Sequence, residues 1–278
     1  MTTTANSPAA APGVIYETER VPAEYVRAYN ALMAQPTNRL RVRAVADILG
    51  RIDEPVKRVL DIACGGGAYV NSARAALAGD PRFFAMDRQF ACVGGYRLNH
   101  PEAAGALADV TALPVRNGAF DLGMCLDIIE HLDDDVGFLR DVGTLLRSRG
   151  WIVVSTHNSR SLEHVIGLSQ SALRGKRWLG WDPTHIRFYN ERSLREKLAA
   201  AGFEPVAFDG TYYVPFHLPA RLASWPLERI GLRRASRFVY DVLTVPGYAL
   251  NAPFEWLSGS TPLRAWGWGI VALARKRT

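Results

Sequence analysis

Short apolar runs, rich in β-branched residues, alternate along this chain with stretches in which apolar residues return every three to four positions. The runs are residues 59–63, 83–86, 106–108, 119–126, 151–156, 203–208 and 270–274, each of strand length. Ahead of the first, Tyr25, Tyr29, Leu32 and Met33 share one helical face, and Leu40, Val42, Val45, Ala46 and Leu49 form a second set after Pro36. Helical spacing returns over 68–78, 89–98, 134–147 and 191–201, the last two stopped by Arg149-Gly150 and by Gly202. This order predicts an α/β fold: a Rossmann-like, doubly wound, seven-stranded, mostly parallel sheet. Helical insertions follow the fifth and sixth strands, and a ligand is expected at the strand C-termini.

The stretch 58–70, RVLDIACGGGAYV, is a strand, a glycine turn and a helix start. That order makes a nucleotide cradle, because glycine lets backbone approach a ligand and a helix N-terminus offers unpaired N–H groups. Counting from Gly65, the third glycine of G-x-G-x-x-G is replaced by Val70, and no Gly-Lys-Ser/Thr follows, so neither the NAD fingerprint nor a P-loop is complete. A second strand ends in Asp87, about 20 residues after Gly67, the spacing of an acid that bonds ribose hydroxyls.

Asp61-Ile62-Ala63-Cys64-Gly65-Gly66-Gly67 resembles the first motif of class I S-adenosylmethionine (SAM)-dependent methyltransferases, with Ala63 where that family often has glycine. A slight shift of the loop is expected there. Asp109-Val110-Thr111-Ala112-Leu113-Pro114 matches the family's Asp-x-x-x-Leu-Pro, and Phe120-Asp121 followed by Glu130-His131-Leu132 resembles its fourth-strand block. The resemblance covers about residues 55–210 and is of the small-molecule, ubiquinone/menaquinone-methyltransferase type. It implies SAM as cofactor, leaving as S-adenosylhomocysteine. The cofactor set is Asp61, Ala63, Gly65, Gly67, Asp87, Arg88, Asp109, Val110 and Asp127, with Asp109 facing the adenine amino group as an acceptor-only carboxylate. The chain then divides into a disordered tail (1–13), a helical cover (14–52), a SAM-binding core (53–210), a helical lid or insertion (211–262) and a last core strand (263–278).

Methyl transfer to oxygen needs alignment and benefits from a base. His157, directly past the fifth strand, is the first candidate; His131 and His185 are the others. Expected acceptor contacts are Tyr25, Asn158, Trp181, Tyr189 and Tyr212. No metal is assigned, although Asp127-x-x-Glu130-His131 is similar to a set that some relatives carry and would put oxygen and nitrogen ligands on one turn.

Among 278 residues, 33 are basic and 27 acidic, a net +6 that suits an anionic partner or a membrane surface without requiring either. Cys64, Cys92 and Cys125 show no metal spacing and no disulfide framework, which points to a reducing compartment. Residues 1–13 lack the features of a secretory leader, and no apolar run reaches the roughly 18–20 residues of a membrane span, so the expected location is cytoplasmic. Residues 174–181 set cations beside tryptophans, and residues 212–262 combine aromatics, prolines and an arginine cluster. The second insertion is expected as short helices forming a lid, a homodimer surface or a peripheral membrane patch. The reading is O-methylation of an apolar or aromatic small molecule: a natural product, a quinone, a glycoside or a lipid-linked sugar. The alternatives are an RNA methyltransferase, for which no RNA-binding module is visible, and an inactive SAM-binding partner protein.

Overall fold

The computed structural model describes residues 23–110, 112–162, 184–211, 217–258 and 265–278, with residues 164, 165, 167, 168, 171, 175, 182 and 213. The expected tail (1–13), Trp181 and Tyr212 lie outside the described residues. Two helices come first, α1 (Ala23–Met33) and α2 (Pro36–Leu49), with Pro36 at the α2 N-terminus, where its missing N–H costs nothing. Then come β1 (Arg58–Ile62), α3 (Val70–Ala76), β2 (Arg82–Asp87), α4 (Phe90–Asn99), β3 (Ala104–Leu107) and β4 (Phe120–Leu126). A 3₁₀ turn, Ile129–His131, leads to α5 (Asp135–Leu145), β5 (Leu146–His157), α6 (Glu191–Ala200), β6 (Phe203–Gly210), α7 (His217–Arg229), α8 (Arg233–Ser258) and β7 (Gly269–Lys276).

The described strands form one sheet in the order β3-β2-β1-β4-β5-β7-β6. β1 to β5 pair in parallel, and β7 runs antiparallel between β5 and β6. The chain moves outward from β1 to β3 and then returns to lay β4 on the other side of β1. That reversal opens a crevice at the C-terminal ends of β1 and β4. Period-two alternation sends side chains into two cores. Val59, Leu122, Met124 and Val153 meet α2 and α3 on one face; Leu60, Ile62, Ile152 and Val154 meet α5 and α6 on the other. Each fully buried aliphatic side chain there contributes roughly 1.5–3 kcal/mol.

Two elements depart from the sequence reading. β5 begins at Leu146, not at Trp151: Arg149 takes a left-handed φ of 59°, and the ladder slips between Phe120 and Leu122. The apolar positions Leu145 and Leu146 are buried whether the chain is helix or strand, so periodicity did not separate the two. The second surprise is α8, which passes through Pro246 and Pro253 as one long helix where short pieces were expected. An interior proline removes one hydrogen bond and bends a helix without having to end it. Among the described residues, no helix is long and apolar enough to cross a membrane.

Candidate active site

The turn after β1 is held from three sides. Ala63, Gly65 and Gly67 all take positive φ, at 56°, 51° and 81°. Tyr29 of α1 lies against the turn, and its hydroxyl accepts from the Ala68 N–H at 3.4 Å. A Cβ on Gly66 would sit 2.4 Å from the Tyr29 ring, so only glycine admits that approach. From the end of α4, Asn99 Nδ2 donates to the Gly66 carbonyl at 2.8 Å. His100 Nε2 donates to the Gly67 carbonyl at 2.8 Å, which fixes its tautomer. Asp87, at the end of β2, accepts from the Gly65 N–H (3.1 Å) and the Gln89 N–H (2.9 Å). A carboxylate has about four acceptor sites, so capacity for hydroxyl donors remains. Arg88 is exposed, Asp109 is exposed just past β3, and Val110 packs on the α5 side of the sheet. Asp61 is buried inside β1; burial first, and the Asp87 charge second, push its carboxyl well above the usual range.

The β4 end carries Asp127 in the left-handed region, at φ 54°. Its carboxylate is ion-paired with Arg41 of α2 and accepts from the Tyr69 hydroxyl at 3.3 Å. The Arg41 guanidinium also lies 5.5 Å from the Trp268 ring centroid. Glu130, three residues after Asp127, is fully buried and faces other partners. Its Oε1 is 3.0 Å from His157 Nδ1, and its Oε2 accepts from Thr156 Oγ1 at 2.9 Å. Burial alone would raise the Glu130 carboxyl; the His157 bond and charge outweigh it and hold the carboxyl below its ordinary value.

All three candidate histidines meet here. The His185 ring lies 4.3 Å from His157 and 4.8 Å from His131, and Trp268 sits edge-on to His157 at 4.3 Å. Burial, then the neighbouring His157, pulls His185 down to about 4, so it is neutral at neutral pH. Its Nδ1 is buried without a hydrogen-bond partner among the described residues. His131 Nδ1 lies 2.9 Å from Thr184 Oγ1. The sequence-based set Asp127, Glu130 and His131 is not gathered, since Asp127 is engaged by Arg41. Two other sets bring their ligand atoms within 4.8 Å: Glu130, His157 and His185, and His131, Asp182 and His185.

Three expected acceptor contacts are committed elsewhere. Tyr189 is buried, with its hydroxyl donating to Asp135 Oδ2 at 2.6 Å. Asn158 is buried and donates to the carbonyls of Ala265 and Gly267, stitching β5 to the chain entering β7. Tyr25 packs on α4, its hydroxyl 3.0 Å from Cys92 Sγ. Tyr189 and Asn158 thus have these polar atoms bonded inside the fold, and Tyr25 is half-buried against α4. The residues that sequence reasoning missed are Tyr29 at the turn, Asn99 and His100 behind it, and Arg41 and Trp268 at the β4 end. Tyr29 and Leu32 shared a legible helical face, but nothing in the spacing aimed Tyr29 at the turn.

A glycine turn capped by a second-strand acid, at the switch point of a sheet in which β7 is antiparallel, defines a class I SAM-binding fold. A profile of the methyltransferase-domain family matches residues 26–207, and the chain belongs to that family: it is a SAM-dependent methyltransferase. The ubiquinone biosynthesis O-methyltransferase of Bordetella bronchiseptica is 29% identical over 188 residues, covering 64% of this chain and 74% of its own. The enzyme of the same name from Azorhizobium caulinodans is 28% identical over 209 residues, covering 67% and 78%. Among solved structures, the chain is similar to the methyltransferase in complex with the Trm112 activator from Haloferax volcanii (TM-score 0.57, 15% identity, 92% of this chain and 97% of that one). It is also similar to magnesium protoporphyrin IX methyltransferase of Synechocystis with bound S-adenosylhomocysteine (TM-score 0.56, 12% identity, 91% and 94%). At these identities the structural likeness carries the fold alone.

Proposed function

We propose that this enzyme methylates an oxygen of a small apolar or aromatic acceptor, with His157 as general base. The observation that carries the reading is the buried Glu130–His157 pair, set at the ends of β4 and β5 beside the cofactor turn. SAM supplies an electrophilic methyl group on a sulfonium sulfur, and S-adenosylhomocysteine leaves. Gly65 and Gly67 would give the backbone approach, Asp87 would take the ribose hydroxyls, and Asp109 with Val110 would take the adenine edge. Glu130 accepts the Nδ1 proton of His157, which leaves Nε2 as the basic nitrogen. That nitrogen takes the acceptor's hydroxyl proton as the oxygen attacks, and the Glu130 carboxylate stabilises the resulting imidazolium. Trp268 and Phe188 flank the imidazole and exclude water.

The named activity of the sequence relatives supports oxygen as the acceptor atom and a phenolic or quinol ring as the acceptor class. Three free, buried cysteines support a reducing compartment, which we take to be the cytoplasm. Incubation with SAM and a panel of phenols, catechols and glycosides, read by mass, tests the reading. A methyl ether from a phenolic acceptor supports it. Transfer only to RNA, or to no acceptor while SAM binds, refutes it.

A metal-assisted version of the same reaction is favoured by one observation: Glu130, His157 and His185 bring ligand atoms within 4.8 Å of one another, and His185 has a buried Nδ1 without a hydrogen-bond partner among the described residues. The donor set of imidazoles and a carboxylate suits zinc or manganese, which would lower the pKa of a bound hydroxyl. Unchanged turnover after exhaustive chelation removes this version and leaves His157 as base.

A further inference from the structure

We propose that the tip of the α7–α8 hairpin is a docking surface for an anionic lipid bilayer. Trp225, Ile230, Leu232 and Phe238 are 52%, 70%, 52% and 68% exposed, and all fall within about two turns of the tip. The tip holds them there. Ile230 N–H bonds to the Pro226 carbonyl, Gly231 N–H to Glu228, and Leu232 N–H to Leu227, with Gly231 in the left-handed position that ends α7. An apolar loop with a closed backbone cannot fold its side chains inward, so large apolar groups stand in water at a fixed place.

Arg229, Arg233, Arg234 and Arg237 are interleaved with them, all exposed, and Glu228 is the one acid between residues 225 and 238. The Arg229 guanidinium lies 4.8 Å from the Trp225 ring centroid, a cation beside an aromatic ring of the kind found at a membrane interface. Beyond the tip, α8 turns the wrong way round for a helix on a protein core. Val242 and Val245, at i+4 and i+7 from Phe238, are 50% and 64% exposed, while Ser236, Thr244 and Asn251 are buried. An apolar face turned outward, headed by four arginines, fits a surface that is apolar inside and negative at its rim.

Charge decides between a bilayer and a second copy of this chain. A two-fold interface would set the arginine cluster against itself, whereas anionic headgroups neutralise it. Contact is peripheral, since no described helix can span a membrane. The surface shares no residue with the cofactor turn or the histidine cluster, so it stands apart from the proposed reaction.

The test uses the full chain and co-sedimentation with phosphatidylcholine vesicles, with and without phosphatidylglycerol. Retention on the phosphatidylglycerol vesicles at low salt, lost at high salt and absent on neutral vesicles, is the expected result. The R233E/R234E double variant lowers the vesicle partition coefficient roughly thirtyfold or more, and Phe238→Ala alone also lowers it, while SAM binding by calorimetry stays as in the wild type. No retention of the wild type on anionic vesicles at low salt overturns the proposal and needs no variant to fold. A concentration-dependent dimer that Phe238→Glu dissociates, without vesicle binding, also overturns it and assigns the face to a second copy. Neither readout involves methyl transfer, so failure here leaves the proposed reaction untouched.

Discussion

Ala63 and Asp127 hold the backbone in the left-handed region at the two strand ends that bound the crevice. Aspartate tolerates this conformation better than most residues, and alanine does not. Replacing Ala63 by glycine, the residue that related motifs often carry there, relieves the Cβ strain. We expect Ala63→Gly to raise unfolding free energy by about 1 kcal/mol in urea titration; a loss of stability would mean that the turn is not strained at this residue. Asp61 gives a second residue-scale expectation. Its folded carboxyl is raised by burial and by Asp87, so its contribution is full below the unfolded value of about 3.9 and is lost as pH rises toward the folded one. Over that window the unfolded chain releases a proton that the folded chain keeps. Asp61→Asn therefore removes a fall in stability as pH rises above about 4. Parallel pH–stability curves for the two proteins would contradict it.

At the scale of elements, Asp135 is the fastening between α5 and the segment leading into α6. Lys197 Nζ and Arg187 Nη1 lie 2.7 and 2.8 Å from its carboxylate, and the Tyr189 hydroxyl lies at 2.6 Å. Burial raises this carboxyl, but the bonds from Lys197, Tyr189 and Arg187 outweigh it and hold it below its ordinary value. Its contribution is therefore present above the unfolded value of about 3.9 and is lost as pH falls through the folded one. Asp135→Asn should cost about 2–3 kcal/mol in denaturant at neutral pH, the low side for a buried pair because both cations reach solvent, and less in acid. A cost that does not shrink with falling pH would refute the assignment. Most elements were legible because their periods are clean: Val136, Leu139 and Val142 can face one way only on a helix. The start of β5 was not, because Leu146 is apolar in either state and the deciding feature is the left-handed Arg149. The length of α8 was not either, because proline statistics describe a local cost and the helix runs through Pro246 and Pro253 all the same.

Over the whole molecule, the cofactor turn was readable because its residues are contiguous and the acid that caps it lies on the next strand. The proposed acceptor side was less so. Arg41 comes from before β1, Glu130 and His157 from the ends of adjacent strands, and Trp268 from beyond both insertions. No local spacing joins them; the sheet order does. His157 was chosen from its place past the fifth strand, but its partner Glu130 became visible only when β4 and β5 were laid side by side. Tyr189 and Asn158, also past strand five, turned out to be bonded within the core. The central claim, that His157 seated on Glu130 removes the acceptor's proton, is tested most directly by one comparison. Methyl transfer from saturating SAM to a phenolic acceptor is measured for wild type and His157→Ala, with SAM affinity measured on the same samples. The account predicts SAM affinity within about twofold and a turnover number lower by roughly 10²–10⁴-fold. Undiminished turnover with SAM bound would contradict it.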